Sequence, residues 1–124
     1  MSLVTVLRIV FVVWAAWHLG FGVLSTFAPE TGAAVTGWTP EAGWTADLFA
    51  MSTQYGMVMM LLGLMFLIMA FDPVRLVALV WVAVAEQVLG IAYGAYLTAT
   101  VGQPTPGQLA VQAIANILRS EERR

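Results

Sequence analysis

Residues 76–99 read LVALVWVAVAEQVLGIAYGAYLTA, an unbroken apolar run with one acidic residue, Glu86, near its middle. About 20 such residues suffice to cross the hydrocarbon core of a bilayer, so the run predicts a membrane-spanning helix. A charge at the centre of a spanning helix costs about 2.5 to 3.5 kcal/mol on insertion scales and normally faces a partner, a cavity or a transport path. Glu86 is therefore the first functional lead.

The chain around it is built in the same way. Of its 124 residues 60% are hydrophobic and 10% are charged, with a mean hydropathy of +0.86. A soluble domain carries about 25% charged residues, so this chain belongs in lipid. A net charge of −2, with no basic patch beyond a short arginine tail, argues against a nucleic-acid partner. Cysteine is absent, which excludes disulfides, thiolate metal sites and cysteine nucleophiles. Lysine is absent too, so no Schiff base to a carbonyl cofactor can form.

The apolar runs predict four spans, at about 6–28, 50–71, 75–99 and 106–119, in a single transmembrane domain over 1–124. The first holds only His18, Ser25 and Thr26 as polar residues over 9–28. A signal peptide competes there, since Arg8 precedes the run and Ala28 has the character of a cleavage site. The length of the run and Pro29 after the cut argue for a retained helix. Residues 29–44, rich in Gly, Thr and Pro and repeating Gly-Trp-Thr at 37–39 and 43–45, predict an interfacial loop. Trp38 and Trp44 are its expected anchors at headgroup level, with a lid over a cavity as the other role. Thr45 is placed to cap a helix with Asp47 in its first turn. Residues 55–71 carry no charge and stop at Asp72-Pro73. Their methionines fall on all sides of the helix, which favours adaptable packing over a metal path.

The last segment is short: 105–120 spans about 24 Å at about 1.5 Å per residue, against a core of about 30 Å. Charge placement decides for a crossing. With four spans, Arg8, Arg75, Arg119, Arg123 and Arg124 share one side, while Glu30, Glu41 and Asp47 lie on the other. The positive-inside rule then puts both termini in the cytoplasm. The expected fold is an all-α, integral-membrane four-helix bundle of a bacterial inner membrane.

His18 lies ten residues past Arg8 and Glu86 eleven past Arg75, so each is about 15 to 16 Å deep. At one level, they can pair inside a bundle. Glu86, Gly90 and Gly94 share a face, and small residues at that spacing let another helix come close and turn the glutamate toward protein. Gly22 is a packing candidate beside His18, on a face with Trp14, Ala15 and Ser25. Gln87 adjoins Glu86, and Gln108, Gln112 and Asn116 form a polar stripe on the last segment.

Three roles stay open for these groups. They are interhelical glue, at about 0.6 kcal/mol per contact; a protonatable or ligand site for a cation, quinone or lipid; or a haem site through His18, whose second axial ligand would be a methionine or another subunit's histidine. No constellation of nucleophile, base and oxyanion donors is visible, so no catalytic residue and no metal site is expected.

The order LRIVFVVWAAWHLGFGV at 7–23, STQYG at 52–56 and VGQPTPGQL at 101–109 resembles the small four-helix bacterial membrane proteins of the DoxX-like type. The resemblance implies a four-helix fold and an accessory role, since some of those proteins are subunits of oxidoreductase assemblies. It transfers no functional residue. In size, span number and single intramembrane glutamate the chain is also similar to the small multidrug-resistance transporters, which work as dimers. Their essential glutamate is in the first helix, whereas here that helix carries His18 and the glutamate is in the third. The expected function is a non-catalytic accessory or stabilising subunit of a larger membrane complex. The alternative is a small proton-coupled transporter or ligand-binding membrane protein using Glu86 and His18. Expected partners are the lipid bilayer and either other membrane subunits or a second copy of the chain.

Overall fold

A computed structural model describes residues 1–102 and 106–122, and on the last helix the side chains of 111 and 114–121. All regular elements among the described residues are helices: α1 Leu3–Phe27, α2 Pro29–Thr36, α3 Ala46–Phe71, α4 Val77–Val101 and α5 Pro106–Glu122. Three of them, α1, α3 and α4, are long and apolar enough to cross a membrane. Each has 25 or 26 residues, about 38 Å at about 1.5 Å per residue, which exceeds the core thickness. Side-chain caps start two of them: Ser2 accepts from the Thr5 N–H, and Thr45 accepts from Leu48 N–H with Asp47 in the first turn.

The frame is an antiparallel pair, α1 against α3. Contacts fix the register along its length: Arg8 meets Phe71, Phe11 stacks on Phe66, Leu19 lies over Gly63, Gly22 faces Gly56, and Ser25 meets Ser52. The buried positions of α1, Phe11, Ala15, His18 and Gly22, step by four, three and four. On α3 the buried Gly56, Met59, Gly63, Phe66 and Ala70 do the same, which is the spacing of a left-handed coiled-coil seam. Small residues recur every seven positions, at Ala15 and Gly22 and at Gly56, Gly63 and Ala70, and large ones fill the steps between.

The closest approach is between Gly22 and Gly56. A Cβ added to Gly22 would lie 2.9 Å from the Gly56 carbonyl oxygen, and one added to Gly56 would lie 2.6 Å from the Gly22 oxygen. Only glycine fits, because the obstacle on each side is backbone. At the other end of the pair, the Arg8 guanidinium donates to the Phe71 carbonyl at 3.2 Å, placing a cation at the negative end of the α3 dipole. The Asp72 carboxylate accepts from Arg75 N–H at 3.1 Å and Pro73 is buried, so the turn into α4 is tightly made. There α4 docks through Leu76, Leu79, Val80 and Ala83 on a core of Phe11, Ala15, Phe66, Met69 and Ala70.

One expectation is corrected. Residues 29–44 are not simply a loop, because α2 occupies their first half. Pro29 is pre-set for a first helical position, Glu30 suits the positive end, and Gly37, at φ 76°, provides the left-handed stop. Its Gly32 packs on Leu24 of α1, where an added Cβ would come within 3.3 Å of Leu24 Cβ. The fourth crossing expected at 106–119 falls within α5, which at 17 residues is shorter than the three long helices. The Asn116 amide donates to the Val35 carbonyl of α2 at 2.7 Å. That bond ties α5 to the segment joining α1 to α3, at the end opposite Arg8 and Phe71.

Candidate functional site

Beyond the docked first turns of α4 the helices part. A cavity of about 690 Å³ opens between α1, α3, α4 and α5, lined among others by Trp14, His18, Tyr55, Glu86, Gln87 and Ile114. The two intramembrane ionisable groups, on α1 and on α4, thus border one space. Position along the helix brings this about: each follows its Arg-bearing end by about three turns, and α1 and α4 both run away from that end.

His18 is held by the seam. It is 6% exposed, its ring lies 4.9 Å from that of Phe66 and 5.8 Å from that of Trp14, and its Nδ1 is 2.8 Å from the Trp14 carbonyl oxygen. A carbonyl only accepts, so Nδ1 is the donor, and in the neutral ring Nε2 carries the lone pair. Among the described residues no hydrogen bond joins His18 to Glu86, so the expected pair is a shared cavity rather than a contact. Glu86 is exposed on α4 and accepts from the amide of Gln87, its chain neighbour.

The glycines of α4 behave unlike the expectation at one of two positions. Gly94 is buried, but a Cβ added to Gly90 would meet nothing within 4 Å, and Gly90 lines the cavity. No helix approaches there, because α4 leans on the frame only near its start. Gly22, by contrast, sits at the tightest point of the α1/α3 seam. Gln108 and Gln112 lie outside the described side chains.

A second cavity of about 500 Å³ lies toward α2, walled by Trp17, Phe21, Trp38, Trp44, Ser52 and Tyr55 among others. Trp38 and Trp44 meet edge to face at 5.9 Å, and Trp44 lies 5.2 Å from Phe49. Both indoles therefore wall a pocket as well as sitting near the chain's expected membrane–water boundary. Trp17, Tyr55 and Met59 line both cavities and divide them. Tyr55 is not among the residues expected at the site. The available signal was a hydroxyl-bearing ring at the head of an uncharged span, since a tyrosine combines an apolar body with a polar tip.

Trp14 Nε1 and Thr26 Oγ1 are buried with no hydrogen-bond partner. The indole N–H of Trp14 is sealed in, so although its ring lines the cavity it offers no donor there. Among the described residues no group of three or more His, Cys, Asp or Glu is placed to hold a metal ion. Compared with family models, curated proteins and solved structures, the chain matches none.

Proposed function

We propose that this is a non-catalytic membrane protein of a bacterial inner membrane that binds a small amphipathic molecule between its helices. The observation carrying the proposal is the cavity of about 690 Å³ bordered by both His18 and Glu86. Ligand sites run from about 300 to 1,000 Å³ and combine apolar walls with a few polar groups, which describes this space. An ionisable side chain inside a membrane segment marks a functional site by default, and two at one level strengthen the argument. Native mass spectrometry of protein extracted in mild detergent from its own host tests it. A small-molecule adduct on the wild type, lost in a Gly90→Leu variant that fills the cavity, is the expected result; a bare chain in both sinks the proposal.

A second reading, an accessory subunit in the manner of the DoxX-like proteins, draws on the outward side of α4. Trp81, Leu89, Tyr93 and Tyr96 are exposed there, a surface on which a helix of another subunit can seat. The same spectrum separates the two, because a heteromeric mass favours the subunit. Glu86→Gln separates them again. It leaves a subunit assembled, but abolishes transport if proton exchange on the glutamate drives it.

A further inference from the structure

The ligand cavity proposed above has a hydrogen-bonding polarity that narrows what it takes. Of the polar groups that line it, His18 has its Nδ1–H occupied by the Trp14 carbonyl and presents Nε2 as an acceptor. Gln87 gives one of its two amide N–H groups to Glu86 and keeps its carbonyl oxygen as an acceptor. Glu86 in its ionised form is acceptor only. The indole N–H of Trp14 is sealed from the space, whereas the Trp17 indole and the Tyr55 hydroxyl also line it and can donate. The lining thus carries one carboxylate, two further acceptors on His18 and Gln87, and no arginine among the described residues. The chain has no lysine to supply an internal ammonium.

We infer that the site takes a membrane-soluble primary amine in its protonated form, an alkylammonium with one positive charge and a single apolar tail. An ammonium group has three donors and no acceptor, which is the complement of a carboxylate, an imidazole nitrogen and an amide oxygen. One charge answers one carboxylate, and a buried charge is tolerated when it is paired and hydrogen-bonded. The rings of Trp14, Trp17 and Tyr55 add cation–π attraction at about 0.5 to 2 kcal/mol. Val58, Leu62, Ile91 and Ile114 give the tail an apolar wall. A quinone fits worse, because its carbonyls are acceptors and would leave the Glu86 carboxylate unpaired.

The inference rests on the ligand-cavity reading, and one experiment separates their failures. Protein in lipid nanodiscs is titrated with octylamine, octyltrimethylammonium and octanol, read by the fluorescence of the tryptophans lining the cavity and by native mass spectrometry. Octylamine is expected to bind at least tenfold tighter than the other two. Glu86→Gln should remove that preference while octanol binding is unchanged. Gly90→Leu, at a position where an added side chain meets no atom within 4 Å, should fold normally and lose all three. Equal binding of octyltrimethylammonium and octylamine, or a preference that survives Glu86→Gln, overturns the amine and leaves the cavity standing. If none of the three binds to a folded protein, the cavity reading falls and the inference with it.

Discussion

The two sides of α1 are built on opposite plans. Toward α3, glycine meets glycine and each large ring has a small residue or another ring against it, so the interface is closed along its whole length. Toward α4, contact is confined to the first turns, and above them the space is empty enough to hold a molecule. The closed side fixes where His18 points, and the open side gives it something to point at. Protein interiors normally pack to crystal density, so a gap of this size beside a seam this tight is a division of labour within one fold.

Breaking the closed side should have the largest effect. Gly56→Leu drives a side chain into the backbone of Gly22, which cannot move aside, and the expected outcome is no folded monomer by size-exclusion chromatography and circular dichroism. A normal melting curve for that variant would mean the two helices are not in this register. Phe66→Ala removes the ring that packs on both Phe11 and His18 and should cost about 3 to 5 kcal/mol in a denaturation experiment. On the open side the sign reverses. Gly90→Ala adds helix propensity where nothing stands in the way, and should stabilise by about 1 kcal/mol, whereas a loss would show that α4 packs more closely than described. Arg8→Gln, which removes the cation at the end of α3 while leaving the seam intact, should lower stability by about 0.3 to 1 kcal/mol, less at high salt.

The three long helices were legible because length and hydropathy are properties of a single segment. What a segment packs against is not. The glycines at 90 and 94 carry the familiar spacing of a close helix contact, yet an added Cβ at Gly90 would touch nothing. The seam that does form repeats at seven residues across two helices, a pattern visible only when Ala15 and Gly22 are set beside Gly56, Gly63 and Ala70. The level of His18 and Glu86 could be counted from Arg8 and Arg75 because helix rise is constant, and the cavity does hold both. The polarity of that cavity could not be counted, since it depends on the Trp14 carbonyl and on the Gln87 amide. For α2 the signal was present in Pro29, Glu30 and Gly37 but was outweighed by the Gly, Thr and Pro content of 29–44. For α5 the arginine count spoke only to charge, and the bond from Asn116 to Val35 could not be read from it.

The order of the chain gives the closed seam a meaning in time. Phe71 ends α3, and Val101, which ends α4, is made 101 − 71 = 30 residues later, about 1.5 to 6 s at roughly 5 to 20 residues per second of synthesis. The pair α1/α3 is complete in sequence before the helix that bears Glu86 has left the ribosome. The histidine is therefore oriented first and the carboxylate arrives last, so each newly made molecule assembles its cavity around a half that is already set.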